Sequence, residues 1–346
     1  MTRLCRTFQT APAAVPREDS AKYLRSGLTA EGFQLPDWLV PDIEDGTAPE
    51  MKDAALENSI ELLGEHGDAF PGELWPRVQW GYDSETARER GRQEIETLVR
   101  SVGDRMDGVV VPKVGRVEDV RAAASAIEEY ETSYGYEPGS IELAIIVETA
   151  RAVSDLDRIA RLGEGRLAAL VFGPVDYTAE LGGRELDEGR PAWPGLLERL
   201  SNEASAGGLL AIGGPFDQLY RERAGVQFYN GDAYAEQVER EARVGLDGSW
   251  SLHPNQTAQA NRIHMPRESE LRRDVGRIEA FEEAKSTGTG AVSVDGQMVD
   301  EATFKNFANT VETVRRIDET RPEQTAARYD DGLLSRALDL DTNRDL

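Results

Sequence analysis

Two acidic residues, Glu148 in IIVETARAV and Asp176 in VFGPVDYTAELG, lie 28 residues apart, each just past a short apolar run. That interval is one strand–helix unit of a parallel α/β fold, so the two carboxylates are expected at the ends of adjacent strands, converging on one point. With no histidine or cysteine beside them they suit a hard, oxygen-preferring cation. Mg²⁺, with Mn²⁺ as a substitute, takes one or two protein carboxylates and leaves its other positions to water and substrate oxygens. A glycosidase-type acid/base pair would also use two carboxylates. Arg77 in PRVQW and Lys113 in VVPKV fall at comparable places and favour an anionic substrate chelated to metal. Catalytic zinc is disfavoured, because the only histidines are His66, His253 and His264, without an H-E-x-x-H spacing.

These residues need a scaffold that delivers them to one place. Short apolar runs alternate with helical-period stretches up to about residue 260. The strand candidates are 5–10, 37–44, 75–80, 108–113, 142–148, 168–173, 208–214 and the weak 249–252. The clearest helix is 117–134, with Val117, Val120, Ala124 and Ile127 on one face. Eight strand-then-helix units with near-continuous apolar strands predict an α/β fold, a (β/α)8 TIM barrel, with a doubly wound open sheet as the alternative. In a barrel the C-terminal ends of the strands face the active site. Seven of the eight proposed strands then bring an ionisable group to that rim: Glu44 and Asp45, Arg77, Lys113, Glu148, Asp176, Asp217 and His253. Singly each could cap a helix or form a structural ion pair; their accumulation on one rim points to chemistry. The barrel is assigned to 1–265. Residues 266–346 form a helical extension whose Gly-rich stretch, 286–300, is expected to act as a lid or to reach a neighbouring subunit.

The chain has 346 residues and a formal net charge of -25, with 64 acidic and 39 basic side chains, only five of them lysine. Such a field repels polyanions, so nucleic acid and anionic membrane surfaces are excluded as general partners. The acid is dispersed rather than gathered in a tail, which predicts a folded, halophilic protein whose self-repulsion is screened by molar salt. No apolar run spans a membrane and no signal-like core opens the chain, so a soluble, cytoplasmic location is expected. One cysteine, Cys5, makes no internal disulfide and reads as packing. Residues 1–30 break the acidic pattern with Arg3, Arg6, Arg17, Lys22 and Arg25 against Glu18 and Asp19, a composition that suits a small polyanionic ligand. There is no G-x-S-x-G elbow, P-loop or G-x-G-x-x-G after the first strand. Lys113 is open to Schiff-base chemistry but is expected instead to pair with a rim carboxylate.

Eight short motifs in order carry a resemblance: DIEDGTAP (42–49), PRVQW, PKV (112–114), VETARAV (147–153), FGPVDYTAELG (172–182), GGPF (213–216), HPNQ (253–256) and GQMVD (296–300). Together they resemble the citrate lyase β-subunit-like (HpcH/HpaI aldolase) superfamily, in its malyl-CoA lyase branch, and within it the haloarchaeal members. Two departures stand out. The opening RTFQTAPAAVPREDSAKYLR is similar to that of the haloarchaeal malate synthases of the superfamily, and the D-G-P-F motif has Gly213 in place of its aspartate.

The resemblance implies Mg²⁺ or Mn²⁺, acyl-CoA and glyoxylate as substrates, and a homo-oligomer, trimer or hexamer. The implied reaction is reversible cleavage of β-methylmalyl-CoA to propionyl-CoA and glyoxylate, and of malyl-CoA to acetyl-CoA and glyoxylate. It implies Glu148 and Asp176 as metal ligands and Arg77 as the group stabilising the thioester enolate, with Glu44, Asp45 and Lys113 holding Arg77 and the metal site. Lys22 and Arg25 would bind CoA phosphates, and Gly173, Pro174, Val175, Pro215, His253 and Pro254 would line the CoA and substrate site. Because the metal carboxylates are occupied as ligands, proton transfer at the thioester α-carbon requires another group. The G-x-x-V-D motif places it at Asp300, contributed in trans; the competing reading is that Asp300 caps the helix beginning at residue 301. Competing functions are malate synthase-like condensation with thioester hydrolysis, citramalyl-CoA lyase, a CoA-independent metal-dependent 2-oxo-acid aldolase, and a non-catalytic scaffold subunit.

Overall fold

The computed structural model describes residues 3–184, 193–223 and 225–342. Its described residues divide into two compact units, one within Cys5–Asn261 and one of residues 262–342 together with residues 3–4.

The first unit is a (β/α)8 barrel. Its strands are β1 (Thr7–Pro12), β2 (Trp38–Asp42), β3 (Glu73–Leu74), β4 (Gly108–Val111), β5 (Glu142–Val147), β6 (Leu167–Phe172), β7 (Leu210–Ile212) and β8 (Ser249–Ser251). All pairings among them are parallel, in the orders β8-β1-β2-β3 and β4-β5-β6-β7. The ring closes through single bridges, Arg77 to Val110 and Ile212 to Gly248. All eight expected strands are present, with shifted ends. The first begins two residues later than expected, leaving Cys5 buried ahead of it. The third is the largest departure, a two-residue ladder at 73–74 rather than 75–80. Pro41 and Pro76 lack N–H groups, so beyond Leu74 the pairing thins to the bridges that Arg77 makes with Asp42 and Val110.

The lumen is filled by side chains at alternate strand positions, among them Phe8, Trp38, Val40, Trp75, Val110, Ile146, Val171, Ile212 and Trp250. Trp38 and Trp75 stack with ring centroids 3.9 Å apart. The opposite faces pack under the helices through Leu39, Val109, Val111, Leu143, Ile145 and Leu170, which is why the strands read as unbroken apolar runs. On the helix Val117–Tyr134, Ala123 rather than Ala124 is fully buried, with Val117, Val120 and Ile127. One element escaped the sequence reading: a hairpin of Tyr220–Arg223 and Val226–Tyr229 between β7 and its helix Gly231–Arg243.

The second unit is built on helices Glu268–Ser286 and Glu301–Thr320, whose Phe281 and Phe304 rings lie 5.7 Å apart, followed by Pro322–Arg328 and Asp331–Asp339. Three helices therefore follow the Gly-rich stretch. Within that stretch, Val292–Val294 and Gln297–Val299 form an antiparallel hairpin. Its turn residues Asp295 and Gly296 both have positive φ, 50° and 77°, the pattern of a two-residue Asp-Gly turn. Among the described residues no helix is long and apolar enough to cross a membrane.

Candidate active site

The period of two along β2 turns Trp38 and Val40 into the lumen and places Asp42 on the same side at the strand's C-terminal end. Asp42 receives the Arg77 guanidinium fork-on, Nε at 2.9 Å from Oδ1 and Nη2 at 2.5 Å from Oδ2. Nη1 faces Glu44 Oε2 at 3.5 Å, and the guanidinium lies 5.5 Å from the centre of the Trp250 ring. Burial works against the charge on Arg77, but Asp42, Glu44 and Glu148 outweigh it and hold the group protonated. Asp42 also shapes the turn that follows it, accepting from the N–H of Glu44 and of Gly46, each at 3.0 Å. Residue 46 has to be glycine, since a Cβ there would overlap the Asp42 carboxylate.

Lys113 is one of three described non-glycine residues with positive φ, at 50°. That unusual backbone points its N–H at Glu148 Oε1, 2.7 Å away. Its ammonium joins the neighbouring loop, contacting Glu44 Oε1 and, at 2.6 Å, Asp45 Oδ2. Burial disfavours the Lys113 charge, but Glu44 and Asp45 prevail and raise its pKa. Glu44 is pushed up to about 7, chiefly by burial, although Arg77 and Lys113 pull the other way. Burial would also raise Asp45, yet its hydrogen bonds with Lys113 and Glu44 win and bring it below the usual range.

Glu148 is buried, and its carboxyl is pushed well above the ordinary value by desolvation first and then by the neighbouring charge of Asp176. Asp176 stands half-buried in the first turn of the helix Pro174–Glu180. Between them lies Gly173, where a Cβ would come within 2.5 Å of Glu148 Oε2, so the carboxylate rests in a cradle that any side chain would fill. A buried carboxylate beside a half-buried one, their repulsion only partly offset by the Lys113 N–H and the Arg77 charge, is a donor set that a hard divalent cation stabilises. No cluster of three or more histidine, cysteine or acidic side chains suited to a metal occurs among the described residues. Two carboxylates with open positions are what Mg²⁺ accepts when substrate oxygens complete its shell.

The remaining expected residues lie outside this cluster. Lys22 and Arg25 are one turn apart on the exposed face of helix Lys22–Leu28, with Arg25 3.8 Å from Asp19. Arg6 does not belong with them. Its guanidinium is buried on Asp37, with two contacts of 2.8 Å, so the exposed basic surface of residues 1–30 is smaller than its composition implies. Val175 is exposed in the helix that carries Asp176, and Pro215 lies in the loop after β7. His253 accepts from the Asn255 N–H, and Pro254 opens the helix Pro254–Ile263. Burial lowers the His253 pKa, so at neutral pH the ring is uncharged. In the other unit, Asp300 caps helix Glu301–Thr320: its Oδ1 accepts from the Thr303 N–H at 2.9 Å, and Thr303 Oγ1 accepts from the Asp300 N–H at 2.9 Å. The Thr303 N–H and the Thr303 hydroxyl, which also donates to Oδ1, hold its carboxyl below the usual range. Asp42 is the member of this cluster that the motif reading passed over. Its signals were its place as the first acid of DIEDGTAP and its even spacing from Trp38 and Val40.

Residues 28–254 match the HpcH/HpaI aldolase/citrate lyase family. The chain is 63% identical to the L-malyl-CoA/β-methylmalyl-CoA lyase of Haloarcula marismortui over 99% of both chains. It is 28% identical to the protein of that name from Cereibacter sphaeroides over 86% of this chain and 95% of the relative. Among solved structures, the magnesium/glyoxylate complex of Haloferax volcanii malate synthase superposes with a TM-score of 0.71 at 31% identity, covering 98% of this chain and 99% of that one.

Proposed function

The chain belongs to the HpcH/HpaI aldolase/citrate lyase family, and from that premise we propose that it is a CoA-ester carbon–carbon lyase. It reversibly cleaves β-methylmalyl-CoA to propionyl-CoA and glyoxylate, and L-malyl-CoA to acetyl-CoA and glyoxylate. What carries the reading is the meeting, at one barrel mouth, of the Glu148–Asp176 pair with a buried, clamped arginine, in a chain 63% identical to a haloarchaeal lyase of that name.

Cleavage breaks the C–C bond between the carbon bearing the hydroxyl and the thioester α-carbon. The hydroxyl gives its proton to water and becomes the aldehyde of glyoxylate, while the bonding pair moves onto the thioester as an enolate. Glu148 and Asp176 would hold Mg²⁺ or Mn²⁺, which when bound supplies Lewis-acid polarisation of the glyoxylate oxygens. Arg77 cannot lose its charge at working pH, and Asp42 fixes which way its fork points. It stabilises the negative charge that develops on the thioester oxygen, a role worth about 3–4 kcal/mol. Lys113 couples two parts of the site: its N–H orients Glu148 and its ammonium holds Glu44 and Asp45 beside Arg77. Lys22 and Arg25 bind the CoA phosphates, with Gly173, Pro174, Val175, Pro215, His253 and Pro254 lining the approach. The α-carbon receives its proton from Asp300 of a neighbouring subunit in a trimer or hexamer.

The test is purified protein in molar KCl with Mg²⁺, glyoxylate and either propionyl-CoA or acetyl-CoA, following thioester product and free thiol together. Formation of β-methylmalyl-CoA and malyl-CoA without thiol release is expected. Thiol release in step with condensation would convert the assignment to a malate synthase, the activity named for the Haloferax structure. No reaction with either thioester would overturn it.

A further inference from the structure

Gly213 stands at the C-terminal end of β7, directly after Ile212. No side chain fits there. A Cβ at 213 would overlap the carboxylate of Glu241, which reaches in from helix Gly231–Arg243. Glu241 is 2% exposed, and among the described residues no lysine or arginine forms an ion pair with it. Arg240 lends it a favourable charge, and its hydrogen bonds come from neutral donors: the Ser249 hydroxyl, Gln237 Nε2 at 3.0 Å, and the backbone N–H of Gly214. A buried carboxylate is costly to keep, so its retention calls for a role.

Its contacts indicate which. Ser249 begins β8, so Glu241 joins the two strands on either side of its own helix. Gln237 also donates to the Gly214 carbonyl at 2.7 Å, so the Glu241–Gln237 pair grips the loop after β7 at both polar groups of one residue. Gly214 packs directly on Pro174, where a Cβ would come within 2.5 Å of Pro174 Cδ. Pro174 opens the helix whose first turn bears Asp176. From the other side Gln256 donates to the Phe216 carbonyl at 2.8 Å. The loop 213–216 is thus a wedge clamped from two helices and pressed against the base of the Asp176 turn.

We propose that Glu241 is a positioning residue that fills, from the helix, the space a side chain at residue 213 would occupy, and that it sets the Asp176 turn through the loop 213–216 and Pro174. Its consequence for metal binding rests on the ligand assignment under Proposed function; its consequence for the loop does not.

The two are separated by measuring amide hydrogen exchange and Mn²⁺ affinity on the full-length protein in molar KCl. Glu241→Ala should speed exchange at residues 213–217 and 174–178 and weaken Mn²⁺ binding about 10-fold, the usual size for loss of an outer support of a metal ligand. Gly213→Asp alone should be worse, since two carboxylates then compete for one space. Gly213→Asp combined with Glu241→Ala should restore both readouts to within about threefold of wild type, because the carboxylate returns by the other route. Should the alanine variant fail to fold, Glu241→Gln is measured in its place, with smaller changes in the same direction. Unchanged protection at 174–178 in the single variant, or a double variant no better than the alanine, would overturn the proposal. Wild-type protein that binds no Mn²⁺ would overturn the ligand assignment, and the exchange data would still decide for or against Glu241.

Discussion

Arg77 lays its guanidinium on both oxygens of Asp42, at 2.9 and 2.5 Å, with side-chain exposures of 7% and 2%. Two of its donor edges are therefore committed to orientation, and the third faces Glu44. The charge presented to substrate is aimed rather than merely present.

That geometry makes Arg77→Lys a severe change. An ammonium keeps the charge but cannot occupy two oxygens of Asp42 and still face the mouth. We expect a loss of at least about 10²-fold in kcat. An effect confined to KM would show that Arg77 binds substrate without stabilising the enolate. Asp42→Ala should act on folding as well, leaving a buried guanidinium without its paired carboxylate and costing about 3–5 kcal/mol. Thermal denaturation at fixed KCl concentration measures it.

Much of this site was legible in the sequence because a barrel maps strand ends onto one rim. Arg77, Lys113, Glu148 and Asp176 each follow an apolar run, so their meeting follows from the fold class. What stayed hidden depends on pairing and on space. Asp42 and Arg77 are 35 residues apart, and nothing local says that one clamps the other. Arg6 counted as surface charge because composition cannot reveal that Asp37 lies beside it. Lys113 gave no sign of a left-handed backbone, which glycine or asparagine normally announces. The Asp295-Gly296 turn was readable as a hairpin signal but was submerged in a Gly-rich stretch.

Glu148→Gln and Asp176→Asn should each abolish turnover and weaken Mn²⁺ binding while leaving circular dichroism unchanged. Glu148→Gln should also raise stability in the absence of metal, since it removes a buried charge facing Asp176. Full activity in either variant after exhaustive chelation would sink the metal assignment.

Glu241 gives stability a pH dependence of definite sign. Burial raises its carboxyl from 4.5 to about 7, so the folded protein holds this proton more tightly than the unfolded chain does. The resulting stability is complete below about pH 4.5 and is lost as pH rises through about 7; it amounts to at most about 3 kcal/mol. Glu241→Gln does not titrate. The difference in unfolding free energy between wild type and Glu241→Gln, measured in constant salt, should therefore shift against the wild type between pH 5 and 7.5 and then level off. A constant difference across that range would show that Glu241 is ionised throughout.

A net charge of -25 with only five lysines sets the salt requirement. Below roughly 0.5 M KCl the dispersed acids are less screened, and self-repulsion should unfold or dissociate the protein. Circular dichroism and light scattering across a KCl series read this directly. Unchanged spectra and size in dilute buffer would remove the halophilic reading.

Asp300 poses the sharpest choice, because its cap geometry supplies a sufficient structural reason for the residue. It accepts from the Thr303 N–H and lies in a reciprocal pair with the Thr303 hydroxyl, which holds the carboxyl in its ionised form. An ionised group suits removal of the α-proton in the condensing direction, and it must collect a proton before it can serve cleavage. Asp300→Asn preserves an oxygen acceptor for the cap but cannot transfer a proton, so the two roles come apart in one variant. We expect helix content and melting temperature to stay near wild type while α-proton exchange of acyl-CoA in D₂O stops. Because Asp300 lies in the C-terminal unit and Arg77 in the barrel, contribution in trans predicts complementation: mixing Asp300→Asn with Arg77→Ala subunits should regenerate activity, as some mouths then pair an intact Arg77 with a neighbour's intact Asp300. Verified mixed oligomers that remain inactive would confine Asp300 to its own subunit, and undiminished exchange in Asp300→Asn would leave it a helix cap alone.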